Sequence, residues 1–314
     1  MEIFWGITEI PPVSHGTIVT LGNFDGVHTG HQAVLKAVAA LAGEHQVHSV
    51  VLTFDPHPRS LHQPEQPLQL ITSLQQRLER MADTGIDATV VEPYTWDFAE
   101  LTPEEFVKEY FVDRLHARVV VVGKDMRFGK NNSGDLATVQ RLGEKHGFDV
   151  VTIDEVGESA GIGRFSSSDI RAYLVSGKVA EAKRALGVPH ALRGEVVHGD
   201  ARGRALGFPT ANLGEEIHGL IPCDGVYAGW ARFDQEDTRY PAAISVGTNP
   251  TFHGDMRRVE AHLVDIEFST LDVYGRTMTV EFSEFIRSQI TYTDMDSLVE
   301  QMNQDVDRAR DMLR

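Results

Sequence analysis

The sequence predicts two domains of different class: an α/β half built on a doubly wound parallel sheet, then an antiparallel β-barrel half with a C-terminal helix. Three observations carry this. Over residues 1–186, apolar β-branched runs of strand length alternate with helical patterns, the order that gives a parallel sheet with helices on both faces. After Gly187-Val188-Pro189 the helical period disappears, and short runs separated by turn residues take over, as in an antiparallel barrel. A single amphipathic segment then closes the chain. At 314 residues, two domains of 1–186 and 187–314 each have room for their own core.

The first strand is Thr17–Leu21. It runs into a loop punctuated by Gly22, Gly26 and Gly30 and carrying His28 and His31, after which Ala33, Val34, Ala37, Val38 and Leu41 set a helical period. Residues i and i+3 share a helix face. The free N–H groups and positive dipole end of a helix attract phosphate, so the two imidazoles are placed to meet anionic oxygens. Next come a strand over 47–54, stopped by Asp55-Pro56-His57-Pro58-Arg59, a helix over 73–84 and a strand over 88–91. Thr102 as N-cap, Pro103 at the first turn and Glu104 and Glu105 behind it start a helix that runs to about Leu115. The run over 118–123 is the most emphatic buried strand, and a helix over 135–146 and a strand over 149–156 complete the alternation. Ligands of such sheets bind beyond the C-terminal strand ends. The unusual loops, GNFDGVHTGH, DPHPR and GKDMRFG, all fall at that edge. By itself the last of these, with Lys124, Arg127 and nearby Lys130, also admits the lesser reading of a polar turn between strand and helix. Ser166, Ser167 and Ser168, followed by Asp169 and Arg171, open a further helix and offer hydroxyls to an anion, although serines cap many helices. That helix continues over 172–186.

In the second half, strands are expected near 190–198, 226–233, 240–246, 259–267 and 278–285, then a helix over 295–313 with Leu298, Met302, Val306 and Ala309 on one stripe. The stretch from Gly199 to Asn212 reads as a mobile flap in which Thr210 and Asn212 offer oxygen ligands suited to Mg²⁺. In Val259-Glu260-Ala261-His262-Leu263, strand alternation puts Glu260 and His262 on one face and the apolar residues on the other. A carboxylate there can take a proton from a substrate hydroxyl, though most strand glutamates simply face solvent.

Composition narrows the class further. An apolar content of 41% and a charged content of 24% are those of a globular protein. The balance of 29 basic against 46 acidic residues, net −17, disfavours a nucleic-acid or membrane-surface partner. Cys223 is the single cysteine, which excludes an internal disulfide and fits a reducing cytosol. No signal-peptide pattern opens the sequence and no apolar run reaches membrane-helix length, so a cytoplasmic location is expected. There is no Walker-type GxxxxGK[ST] motif.

Within this frame His28-Thr29-Gly30-His31, with the later serine-rich segment, resembles the HxGH nucleotidyltransferase superfamily. The order GNFDGVHTGH, TFDPHP, GKDMRFG, SSSDIR, GDARGRALGFPTAN, DGVYAG, GTNPTFHG and VEAHL resembles, over nearly the whole chain, the bacterial bifunctional riboflavin kinase/FMN adenylyltransferases (FAD synthetases). That resemblance implies a Rossmann-like nucleotidyltransferase domain followed by a six-stranded riboflavin kinase-like barrel. Riboflavin and ATP would give FMN in the second domain; FMN and a second ATP would give FAD and pyrophosphate in the first. It implies catalytic roles for Glu260, as base at the ribityl 5′-hydroxyl, and for His28 and His31. ATP and phosphate contacts would come from Gly22, Phe24, Asp25, Asp125, Arg127, Ser167, Ser168, Arg171, Gly199, Arg204, Thr210 and Asn212. Flavin contacts would come from Asp55, Pro56, His57, Phe208 and Arg287, and Mg²⁺ accompanying ATP would be held by Thr210 and Asn212.

Two departures stand out. Ser168 replaces a usual threonine and keeps the hydroxyl. Where the family often reads R-x-E-x-K-F, this chain has Arg287-Ser288-Gln289-Ile290-Thr291-Tyr292, which removes two charges beside the kinase site. Other HxGH transferases, acting on pantetheine phosphate or nicotinate mononucleotide, need no second barrel. A short class I aminoacyl-tRNA synthetase conflicts with the net charge. A flavin-binding regulator without catalysis conflicts with the intact His28, His31, Arg171 and Glu260.

Overall fold

A computed structural model of the chain describes residues 1–153, 165–199, 203, 206–248, 257–266 and 273–314. It divides into two compact units, residues 1–69 with 74–166 and residues 70–73 with 167–314. The ends of the strands expected at 149–156 and 259–267 run past the described residues, and Arg204 lies outside them.

The first unit holds strands β1 (Glu2–Phe4), β2 (Thr17–Leu21), β3 (His48–Asp55), β4 (Ala88–Pro93), β5 (Ala117–Gly123) and β6 (Asp149–Ile153). Its helices are α1 (Thr29–His45), α2 (Pro58–His62), α3 (Leu74–Ala82), α4 (Trp96–Ala99), α5 (Pro103–Phe106) and α6 (Leu136–His146). All six strands are parallel, in the order β1-β4-β3-β2-β5-β6. Neighbouring strand residues feed opposite cores. Val19, Val50, Val120 and Val122 pack with Phe106, Phe111, Val139 and Leu142, whereas Ile18, Val51, Val119 and Val121 pack with Leu35 and Val38 of α1 and Leu78 and Met81 of α3. The chain winds from β2 through β3 to β4, then returns to β5 on the other side of β2. That reversal puts the topological switch point, where α/β sheets bind ligands, beyond the ends of β2 and β5.

Thr102 caps α5 and Pro103 sits in its first turn, as expected, and Glu105 completes a capping box with Thr102. Beyond α5 the helix continues over Val107–Arg114 with wider winding, marked by the Leu115 N–H donating to the Tyr110 carbonyl. The sequence reading missed β1 because three residues at a sheet edge carry no period.

The second unit opens with α7 (Ser167–Val175) and α8 (Val179–Leu186). The single helix expected over 172–186 is in fact broken, at Gly177, where φ is +74°. Strands β7 (His190–Val197), β8 (Ala211–Leu213), β9 (Gly225–Phe233), β10 (Tyr240–Thr248), β11 (Arg257–Leu263) and β12 (Thr277–Arg287) close an antiparallel barrel in the order β10-β11-β8-β7-β12-β9. Five of these were visible as runs. The sixth, β8, is a three-residue strand inside the segment read as a flap, and it pairs Asn212 with Glu260. Helix α9 (Met295–Met312) starts at an Asp294 cap. Along its apolar stripe Ala309 packs with Ala228, Ala243 and Val264, Leu298 and Met302 line a cavity, and Val306 does both.

Candidate active sites

In the first unit the loop after β2 is the centre. Phe24, Gly26 and Val27 all have positive φ, of 49°, 81° and 40°. For a β-branched residue such as Val27 that is a strained conformation, which persists only where surrounding contacts hold it. The Val27 N–H donates to the Phe24 carbonyl at 2.9 Å and the Gln32 side chain donates to the Val27 carbonyl at 2.8 Å. Arg80 Nη1 donates to the Gly26 carbonyl and Arg77 Nη1 to the Asn23 carbonyl, each at 2.8 Å.

The loop delivers His28 to the N-cap of α1, where its Nδ1 accepts from the His31 N–H at 3.4 Å. The two imidazoles stack at 3.6 Å, with the Phe24 ring edge-on to His31 at 5.1 Å. Gly30 leaves room for the His28 ring: a Cβ on it would lie 3.1 Å from His28 Cε1, so the ring would have to shift by a few tenths of an ångström. His31 Nδ1 is buried and, among the described residues, has no hydrogen-bond partner. Burial, reinforced by the neighbouring His28, holds the His31 pKa well below the ordinary histidine value. The folded state therefore excludes a proton that the unfolded chain takes up near pH 6.5. The stabilisation from neutral His31 is fully present above that pH and is lost as pH falls toward the depressed folded value. The melting temperature of this unit should drop between about pH 7 and pH 5, and the drop should be shallower in His31→Gln. A dependence identical in the two proteins contradicts the assignment.

Beside this loop, a cavity of about 670 Å³ opens at the C-terminal ends of β2 to β5. Gly22, His57 and Arg127 line it, as do the aromatic residues Phe54, Tyr94, Phe98, Phe106 and Phe128. The aromatic walls suit a planar ring system, and nothing in the local sequence announced them as a group. Phe24, Asp25, Asp55, Pro56 and Asp125 are not in the lining. Asp25 is buried, and Arg127 approaches Asp135 at 3.7 Å. Ser167, Ser168 and Arg171 open α7, which belongs to the second unit, with Ser168 exposed and the other two half-buried.

The second unit contains a cavity of about 650 Å³. One continuous face of the barrel lines it, with Ala243, Ser245 and Gly247 of β10 beside Arg258, Glu260 and His262 of β11. Val259, Ala261 and Leu263 are fully buried on the opposite face, as the alternation requires. Thr210 Oγ1 donates to Glu260 Oε2 at 3.2 Å, and Asn212 Nδ2 donates to Thr210 Oγ1 at 3.3 Å. Gly199 lets the Asn212 amide pack directly on the backbone; a Cβ would sit 2.6–2.7 Å from its atoms. Hydroxyl, amide and carboxylate oxygens held this closely form a hard donor set. His262 Nδ1 donates to the Pro209 carbonyl at 2.9 Å and its ring meets Phe208 edge-on, which ties the start of β8 to β11. Burial lowers the His262 pKa, so the ring is neutral with Nε2 unprotonated. Near the flap, His198 and Tyr274 stack at 3.7 Å and both line the cavity.

At the other end, Arg287 lines the cavity with its guanidinium paired to the buried carboxylate of Asp305, at 2.9 Å for Nε to Oδ1 and 2.6 Å for Nη2 to Oδ2. Removing one partner of such a buried pair typically costs about 3–5 kcal/mol, because the other charge is stranded. Gln289 Nε2 donates to the Val246 carbonyl at 2.9 Å and to Ser245 Oγ at 3.0 Å. A glutamate has no hydrogen to give that carbonyl, so the departure at 289 is matched by the groups it faces.

A strained, cation-anchored loop with paired imidazoles in the first unit, and a barrel cavity with a carboxylate–hydroxyl–amide cluster in the second, are the two candidate sites of the chain. A family model described as FAD synthetase matches residues 10–169, and one described as riboflavin kinase matches residues 186–313. The chain is 35% identical over 93% of its length to the bifunctional riboflavin kinase/FMN adenylyltransferase of Listeria monocytogenes, covering 91% of that relative. It is 33% identical over 99% of its length to the Escherichia coli K12 enzyme of the same name, covering 97% of it. The chain belongs to the bifunctional riboflavin kinase/FMN adenylyltransferase family. Its N-terminal domain is an FMN adenylyltransferase and its C-terminal domain a riboflavin kinase, the two steps of FAD biosynthesis. A solved structure from Streptococcus pneumoniae described as a macrolide-efflux protein superposes with a TM-score of 0.87 at 30% identity, covering 98% of both chains. No helix among the described residues is long and apolar enough to cross a membrane.

Proposed function

We propose that riboflavin is phosphorylated in the barrel cavity with Glu260 as general base, and that FMN is adenylylated at the His28–His31 loop. The contact between Thr210 Oγ1 and Glu260 Oε2, 3.2 Å apart beside Asn212, is the observation that carries the kinase reading. Glu260 removes the proton of the ribityl 5′-hydroxyl as that oxygen attacks the γ-phosphorus of ATP, and ADP leaves. Thr210 and Asn212 then have their oxygens available for the Mg²⁺ that travels with ATP, which supplies neutralisation of the β- and γ-phosphate charge. Gly199 frames the nucleotide, Phe208 and the apolar side chains of α9 flank the flavin, and Arg287, locked by Asp305, holds the far wall.

In the N-terminal domain, the FMN phosphate attacks the α-phosphorus of ATP and pyrophosphate leaves. No side chain becomes covalently attached, so the catalytic contribution is positioning and charge neutralisation. Polyphosphate beside His31 favours its protonated form, opposing the burial that keeps it neutral in the free protein. Phe24, Gly22 and Asp25 shape the loop, while the aromatic cavity, with His57 in its lining and Asp55 and Pro56 just before it in the chain, receives the flavin. Ser167, Ser168 and Arg171 serve the ATP phosphates. Asp125 and Arg127 act from the loop after β5. The functional boundary lies near residue 187, and the location is cytoplasmic.

Purified protein given riboflavin, ATP and Mg²⁺ should accumulate both FMN and FAD on HPLC, with neither formed when EDTA exceeds Mg²⁺. Absence of FAD even from supplied FMN overturns the assignment at the His28–His31 loop.

A further inference from the structure

Arg77 and Arg80 are absent from every motif in the sequence, yet together they donate to three backbone carbonyls at the centre of the first unit. Arg77 is 2% exposed. Its Nη1 reaches the Asn23 carbonyl at 2.8 Å, in the loop after β2, and its Nη2 reaches the Phe54 carbonyl at 3.0 Å, near the end of β3. One guanidinium thus ties together the ends of two adjacent parallel strands, at the edge where the aromatic cavity opens. Arg80, one turn further along α3, takes the Gly26 carbonyl at 2.8 Å. Asp25 and Asp55, on the same two segments, are the opposite charges acting on Arg77. A buried cation resting on carbonyl dipoles, with those carboxylates opposing its charge, is expensive to maintain unless it holds something in place.

What it holds is the left-handed turn. Phe24 and Val27 both sit at positive φ, and the carbonyls of Asn23 and Gly26 flank them. In a trans peptide the N–H points opposite to the C=O. Drawing the Asn23 carbonyl down to Arg77 therefore fixes the orientation of the Phe24 N–H as well, on the side away from α3. The same pull fixes the entry to α1 and with it His28 and His31.

We propose that Arg77 and Arg80 of α3 are positioning residues for adenylyl transfer. They clamp the nucleotide loop to the end of β3, so that the loop and its two imidazoles are preset around the reacting phosphate. This rests on the reading that His28 and His31 face the ATP phosphates. Arg77 and Arg80 do not touch substrate; they act through the backbone they hold. Misplacement of a catalytic group by about 1 Å lowers rates on the order of 100-fold, so the effect belongs in kcat.

The full-length variants Arg77→Met, Arg77→Lys and Arg80→Met decide it, with FAD formation measured from FMN, ATP and Mg²⁺ and kcat separated from KM. Arg77→Met should lose about 100-fold in kcat. Arg77→Lys, which keeps the charge but cannot span both carbonyls, and Arg80→Met should each lose about 10-fold. KM for FMN should stay within about threefold, and riboflavin phosphorylation by the same protein within about twofold. If Arg77→Met does not fold its first unit, Arg77→Lys and the half-buried Arg80→Met carry the test. A lowered melting temperature with kcat unchanged in those two variants overturns the proposal and makes the arginines stabilisers only. A His28→Ala/His31→Ala protein that still makes FAD would instead overturn the underlying reading, whatever the arginine variants do.

Discussion

Glu260→Gln should make FAD normally from supplied FMN and essentially no FMN from riboflavin. The substitution is nearly isosteric, and the amide oxygen still accepts from Thr210 Oγ1, so the contact at 3.2 Å survives. What disappears is the basic lone pair proposed to take the 5′-hydroxyl proton. General-base catalysis contributes about 10²–10⁴-fold, so kcat for FMN formation should fall by about that factor. KM for riboflavin should move little, because the walls formed by Phe208, Leu298 and Met302 are untouched. HPLC of riboflavin, FMN and FAD reads both reactions in one run. FMN formation within tenfold of the parent protein would remove Glu260 from the role of base, and loss of both products would show that the two sites are not independent.

The reciprocal result is expected for His28→Ala combined with His31→Ala: riboflavin is converted to FMN and synthesis stops there. Removing preset groups that meet developing charge costs about 10²–10³-fold per site, so FAD formation should fall at least that far. His28 also caps α1 through Nδ1, and losing a cap destabilises by about 1 kcal/mol. His28→Asn separates the two effects, since asparagine is a favourable N-cap that lacks the imidazole. It should hold the melting temperature while still losing FAD formation. Recovery of FAD synthesis in His28→Asn would reduce His28 to a structural cap.

Much of this was readable before any coordinates. The alternation through β6, the helix start at Thr102 and Pro103, the two-faced pattern around Glu260 and the change of period near Gly187 are local signals, and each maps onto an element of the structure. Helices and strands announce themselves when burial repeats at their own period. Elements without a period were missed: β1 and β8 are three residues each, and the latter sits where glycine and proline suggest a flap. Gly177 broke an otherwise continuous helical pattern only because its backbone turns left-handed, which a periodicity reading does not register.

For the sites, sequence determined the chemistry and tertiary structure decided the geometry. His28 and His31 are three residues apart, so a helix start alone brings them together. Glu260 needs only strand alternation to be set apart from its apolar neighbours. By contrast, Arg77 meets an acceptor 54 residues away and another 23 away. Arg287 and Asp305 pair across the turn into α9, and Phe54, Tyr94, Phe98, Phe106 and Phe128 come from separate segments to wall one cavity. Such groupings depend on strand order and on which helix face meets the sheet, and those follow from burying two cores at once rather than from any local spacing. The short stretches of this chain therefore name the reactions. The parallel sheet and the closed barrel decide which distant arginines, aromatics and carbonyls hold those stretches in working shape, because only packing can bring together residues that share no local period.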